Sequence, residues 1–201
     1  MENKNVSNLS AAEIKKIEKR IRKTFVVGVI LMIITVTVLV FAFPSIVPTE
    51  SMYPTVGAPS LNLMSVISPH IRGVKRGDVV SVALTLEQCL ETNTKANNAF
   101  CKRVIGLPGE KVEIKDGLVY INDSAEPLAE PYLPDDYVPT GNYGPFEVPE
   151  GCLFLMGDNR NNSKDSRVLE NRFFLEKNVV GIYWMSISKD GINCFAENSL
   201  V

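Results

Sequence analysis

Ser51 and Lys102 are the residues of this chain whose types and surroundings could make a nucleophile and its base. Ser51 stands in Pro48-Thr49-Glu50-Ser51-Met52-Tyr53-Pro54-Thr55, between two prolines that each remove a backbone donor and fix φ. Val47 and Tyr53, which precede them, are biased towards extended conformations. The stretch is expected to be a stiff, non-helical loop. A serine hydroxyl is a weak nucleophile until a base takes its proton. Lys102 lies in Phe100-Cys101-Lys102-Arg103-Val104-Ile105, an apolar strand candidate. Alternation puts Phe100, Lys102 and Val104 on one face and Cys101, Arg103 and Ile105 on the other. A lysine turned into an apolar site loses hydration and its pKa falls, so it can accept the serine proton. Taken alone, the strand reads better as carrying an edge lysine in water. His70, the single histidine, sits in a Pro-flanked turn and reads as a surface residue, although a triad needs no sequence neighbours.

A third polar stretch is Gly157-Asp158-Asn159-Arg160-Asn161-Asn162-Ser163-Lys164-Asp165-Ser166-Arg167. A calcium loop fails here: Arg160 takes the third ligand position, Ser163 the sixth-position glycine, and Leu169 the bidentate glutamate. Either this is a solvated turn, or a hydroxyl orients the base while Asp158, Asp165, Arg160 and Arg167 form a charged brace.

These stretches need a frame to position them. Residues 24–43 are an uncharged apolar run, about 30 Å long as a helix and so able to cross a hydrocarbon core. Phe41-Ala42-Phe43-Pro44 follows where a cleaved signal peptide would show small residues, so the run reads as an uncleaved anchor. Residues 1–23 carry seven Lys/Arg against three Glu, which places the N-terminus in the cytoplasm and the rest outside. Ser10-Ala11-Ala12-Glu13 has capping-box spacing, and Ile14, Ile17 and Ile21 recur at helical spacing. This is either a basic helix on the inner membrane surface or a solvated flank. Residues 44–201 are one domain with a net charge of −6, which argues against nucleic-acid binding. Its pattern is of strands: residues 61–67, 79–84, 100–107, 152–156 and, last, 179–188. Asp116-Gly117 joins 111–115 to 118–122 as a hairpin. Residues 68–70 break the chain, 86–98 read as a polar loop or excursion, and 125–149 as a long ordered loop or flap. The domain is therefore mainly β. Cys89, Cys101, Cys152 and Cys194 read as buried free thiols or one disulfide, and sequence does not choose among the pairings.

Taken together, Pro48 to Thr55, Arg76-Gly77-Asp78-Val79-Val80, Lys102-Arg103-Val104-Ile105-Gly106-Leu107-Pro108-Gly109-Glu110 and the 157–167 stretch resemble bacterial type I signal peptidases. They occur in that family's order, behind the single anchor common in Gram-positive members, and the resemblance covers most of residues 44–187. It implies a membrane-bound serine endopeptidase that removes signal peptides from exported preproteins after Ala-x-Ala-type sequences, without cofactor or metal. Ser51 would be the nucleophile, Lys102 the general base, and Ser163 the lysine-orienting serine. The Ser51 N–H and the Thr49 hydroxyl would form the oxyanion hole. Asp158, Asp165 and Arg167 would form a structural brace, and Val47, Met52, Phe100 and Cys101 would line the pockets for small residues. The fold implied is a β catalytic core with a small β cap inserted over 111–150. Preproteins, the lipid bilayer and the secretion machinery are the partners expected. A non-proteolytic pilus-assembly or surface factor on the same fold is the alternative. Glu50, Glu110 and Asn161 depart from the family's commoner Gly, Asp and Asp.

Overall fold

The computed structural model describes residues 10–95, 98–134 and 136–195. The first nine residues of the expected basic segment, and 96–97 of the expected excursion, lie outside the described residues. The chain divides into two compact units, 1–40 and 41–201.

The described part of the first unit is formed by helix α1 (Ala11–Phe41), none of whose residues is buried. Ser10 and Glu13 form the capping box: Glu13 N–H donates to Ser10 Oγ at 3.3 Å and Ser10 N–H to Glu13 Oε2 at 2.9 Å. The basic flank and the apolar run are thus continuous, and the 31 residues make a rod of about 46 Å. An 18-residue window reaches a mean hydropathy of 2.8, enough by length and composition to cross a membrane.

In the second unit the main antiparallel sheet contains β1 (Phe43–Val47), β2 (Ser60–Ser65), β3 (Val79–Ala83), β4 (Ala99–Gly106), β8 (Cys152–Met156), β9 (Phe173–Leu175), β10 (Val179–Ser188) and β11 (Gly191–Cys194). Its order is β1-β2-β10-β3-β4-β8-β9, with β11 also paired to β10. A smaller sheet, β6-β5-β7, comprises β5 (Lys111–Lys115), β6 (Leu118–Ile121) and β7 (Tyr143–Glu147). The main sheet is covered on both faces. Val80, Val104, Leu153 and Leu155 feed one cluster, while Val79 and Cys101 feed a second and Ile105, Phe154 and Met156 a third shared with the small sheet. Two-sided burial explains why these strands read as unbroken apolar runs. The expected hairpin is present: Asp116 and Gly117 adopt φ of 49° and 78°, both positive as a type I′ turn requires.

Several expectations need correction. Residues 86–98 were expected to be loop or excursion, but α3 (Leu86–Thr92) forms there, started by a Thr85/Gln88 capping box and ended by left-handed Asn93. The 125–149 flap contains β7, which pairs with β5. β1 precedes the Ser51 stretch, and β11 follows the strand expected to be last. The break at Ser68-Pro69-His70 is a short helix, α2 (Ser68–Arg72), with proline in its first turn, where the missing N–H is harmless.

Candidate active site

Ser51 lies on a single 3₁₀ turn, Glu50–Met52, between β1 and β2, and not on a wholly non-helical loop. Successive side chains on such a turn diverge by about 120°. Met52 therefore points inward, with no exposed surface, while Ser51 is left half-buried facing out. Val47, at the end of β1, packs in the same cluster as Met52 and Val56. The polar loop 157–167 clasps the turn from the other side. Asn159 N–H donates to the Ser51 carbonyl at 3.1 Å, and Asn159 Nδ2 to the Glu50 carbonyl at 3.0 Å.

Lys102 arrives from β4, paired across from Val80 of β3. Its side chain is 3% exposed, and Nζ lies 2.6 Å from Ser51 Oγ. Nζ also stands 5.0 Å from the centroid of the Phe100 ring, as alternation on β4 predicts. Burial strips the amine of hydration and moves its pKa below the ordinary lysine value. Asp165 and Asp158 pull it back upward, but burial wins. A lowered pKa makes the neutral amine easier to reach, and a neutral amine beside a serine hydroxyl can take that hydroxyl's proton. Thr49 Oγ1 lies 3.5 Å from Ser51 Oγ, on the exposed side of the turn.

Ser163 comes to the same place without joining the contact. Its Oγ is buried and has no hydrogen-bond partner among the described residues. A Cβ built on Gly157 would meet Ser163 Oγ at 2.2 Å and the Ser51 carbonyl at 2.4 Å, so both press on one glycine. Burial alone would raise the pKa of Asp165. The Arg167 guanidinium, the Gly157 N–H and, more weakly, the neighbouring Ser163 hydroxyl hold it below the usual carboxylate range.

The brace is larger than the sequence suggested. Asp165 takes two hydrogen bonds from the Arg167 guanidinium, each 2.9 Å, and a third from the Arg167 N–H at 3.2 Å. Asp158 is paired bidentately at 2.8 and 2.6 Å with Arg103, whose side chain is wholly buried. Burial by itself would lower the Arg103 pKa, but the bonds to Asp158 hold it up. Arg103 also donates to the Gly77 carbonyl at 2.7 Å and lies 3.7 Å from the centroid of the Tyr132 ring. Arg160 pairs with Glu130, which ties the loop to the β6–β7 connection. Arg76 pairs with Glu110 at 2.6 Å. Sequence reasoning missed Arg103, Glu130, Arg76 and Glu110. The one available signal was an arginine set in the apolar run of β4.

A cleft of about 560 Å³ opens at Ser51. Val47, Phe100 and Cys101 line it together with Thr49, Ser51 and Lys102; Met52, expected among them, lies beneath in the core. Burial pushes the Cys101 thiol up to about 12, so it is an apolar wall and not a second nucleophile. All four cysteines are free. His70 is exposed on α2 and does not line the cleft.

A serine 2.6 Å from a buried lysine, both lining a cleft beside the main β sheet, has the arrangement of a Ser-Lys hydrolase. The chain belongs to the signal peptidase, peptidase S26, family, whose model matches residues 19–187. It is 43% identical over 122 residues to a signal peptidase I of Leptolyngbya laminosa, covering 60% of this chain and 57% of that one. It is 35% identical over 156 residues to a probable signal peptidase I-1 of Synechocystis sp., covering 76% of each. With a signal peptidase I of Bacillus amyloliquefaciens it shares 34% identity over 148 residues, 69% of this chain and 73% of that one. The crystal structure of a signal peptidase I from Enterococcus faecalis superposes with a TM-score of 0.42 at 29% identity, over 56% of this chain and 97% of that one.

Proposed function

We infer that this protein is a membrane-anchored serine endopeptidase that cuts signal peptides from preproteins after small residues. The observation that carries this reading is the 2.6 Å contact between Ser51 Oγ and buried Lys102 Nζ at the cleft. Neutral Lys102 takes the Ser51 proton as Oγ attacks the carbonyl of the last signal-peptide residue. The Ser51 N–H and the Thr49 hydroxyl hold the resulting oxyanion. Each such donor is worth about 10²–10³ in rate in acyl-transfer sites. Protonated Lys102 then gives its proton to the leaving amine, and water frees the acyl-enzyme. Ser163, whose buried hydroxyl packs against the same glycine as the Ser51 carbonyl, orients the lysine. Val47, Phe100 and Cys101 form the wall that accepts small side chains. The paired Asp158, Asp165 and Arg167 keep the loop beneath Ser51 rigid.

The apolar helix supports a single-pass anchor, and the positive residues before it support a cytoplasmic N-terminus with the 41–201 unit outside. That unit also bears an exposed apolar row: Ile46, Leu61, Ile187 and Ile192 stand opposite one another across β1, β2, β10 and β11. Cross-strand partners share a face, and such a row suits the lipid surface. The pilus-assembly alternative finds no support among the relatives. The test is cleavage of a purified preprotein by the detergent-solubilised chain. Ser51→Ala and Lys102→Ala are both expected to abolish it. Wild-type rates are expected to rise with pH through the depressed lysine pKa. Retained cleavage by Lys102→Ala would refute the assignment.

A further inference from the structure

Among the described residues, those lining the cleft include no carboxylate. Two of them are cationic in type, and Lys102 is the buried base. The other is Lys164, exposed and paired with no acid among the described residues. Its backbone is fixed on both sides. Ser163 is packed against Gly157, and Asp165, fully buried, is bonded to Arg167 and to Gly157 N–H. Lys164 is therefore a solvated charge carried on a fixed backbone at the lining of the Ser51 cleft. Glu50, next to the nucleophile in sequence, does not line the cleft. The domain as a whole is negative, so this positive rim is a local departure from the surrounding field.

We propose that Lys164 is a specificity residue that favours an acidic side chain, and disfavours a basic one, at the middle position of the Ala-x-Ala sequence preceding the cut. The proposal rests on the signal-peptidase reading. A substrate bound in extended form alternates its side chains between opposite faces. When the two small residues turn down onto Val47, Phe100 and Cys101, the residue between them turns up to the mouth, where Lys164 stands exposed. A carboxylate there gains an ion pair; an ammonium meets a like charge. Each is a solvated interaction of modest size, and the two act in opposite directions, so discrimination of about fivefold in kcat/KM is expected.

The experiment uses the full chain in detergent and three preproteins that differ only in the middle residue: Asp, Asn or Lys. At low salt the order is expected to be Asp, then Asn, then Lys. The spread, carried mainly by KM, should shrink at high salt as screening sets in. Lys164→Gln should flatten the order and Lys164→Glu should invert it. A rate change common to all three substrates in Lys164→Glu reports on the nearby base. Inversion of the order reports on the substrate contact. Equal cleavage of the three by wild type, or an order unchanged in Lys164→Glu, would overturn the proposal. Failure to cut even the Asn substrate would overturn the signal-peptidase reading and this proposal with it.

Discussion

Asp158→Asn should destabilise the 41–201 unit by about 3–4 kcal/mol. The change is nearly isosteric, so no cavity forms. It removes the negative charge facing the Arg103 guanidinium and turns an amide N–H₂ towards its donors. Both side chains are essentially without solvent access, at 0% and 1% exposure, so water cannot replace the lost partner. Breaking such a pair from one side costs about 3–5 kcal/mol, because the other charge stays buried and unpaired. The lower half of that range applies here. Arg103 keeps its 2.7 Å bond to the Gly77 carbonyl and its place over the Tyr132 ring. At roughly 2–4 °C per kcal/mol for a domain of this size, the melting temperature should fall by about 6–16 °C. Urea unfolding followed by the fluorescence of Trp184, the single tryptophan, reports on this unit alone. The double variant Arg103→Met/Asp158→Leu should recover most of the loss, since a buried pair can be exchanged for apolar residues at little cost. A loss below about 1 kcal/mol in Asp158→Asn, or a double variant as unstable as the single, would refute this account.

Two further predictions concern the turn. Gly157→Ala would place a Cβ 2.2 Å from Ser163 Oγ and 2.4 Å from the Ser51 carbonyl, so the nucleophile must shift. Preprotein cleavage should fall about 100-fold while circular dichroism stays native, and activity within a few fold of wild type would contradict the packing described. Thr49→Val keeps the shape and deletes the hydroxyl. Its kcat should drop by about 10²–10³-fold with little change in KM, and Thr49→Ser should keep most of the rate.

The sequence made β3, β4, β8 and the Asp116-Gly117 hairpin legible because each follows a local rule: β-branched or apolar runs in strands, positive φ in a tight turn. The helix α3 breaks such a rule. Its apolar Leu86 and Leu90 are 66% and 74% exposed, while Gln88 is buried. Gln88 is satisfied there by the Asn171 and Phe173 carbonyls, a tertiary contact from the far side of the sequence. Periodicity points such a helix the wrong way, and only the Thr85/Gln88 capping box marked it. Met52 was misplaced for a different reason. Proximity to Ser51 in sequence suggested the cleft, but one step along a 3₁₀ turn reverses a side chain from surface to core. Arg103 and Asp158 lie 55 residues apart, so no local pattern could pair them. The Ser51 and Lys102 pairing likewise came from resemblance, not from spacing.

The brace does more than hold the loop. Lys102 must be neutral to act as a base, and Asp165 and Asp158 both pull its pKa upward while Arg167 pushes it down. The two acids are tolerated because each is neutralised by its own arginine. Removing one partner at a time should therefore move the base in opposite directions. Arg103→Met leaves the Asp158 anion uncompensated, which favours protonated Lys102 and raises its pKa. The rising limb of the pH–rate profile should then shift to higher pH. Asp158→Asn leaves the Arg103 cation, disfavours a second positive charge, and should shift the limb to lower pH. Both variants are destabilised, so rates are normalised to the folded fraction at each pH. A purely mechanical brace would lower activity in both variants without moving either limb, or would move both the same way. Opposite shifts have no such explanation: Arg103→Met also loses the Gly77 and Tyr132 contacts, which would lower activity without moving the limb, whereas the sign of the charge left behind differs between the two variants.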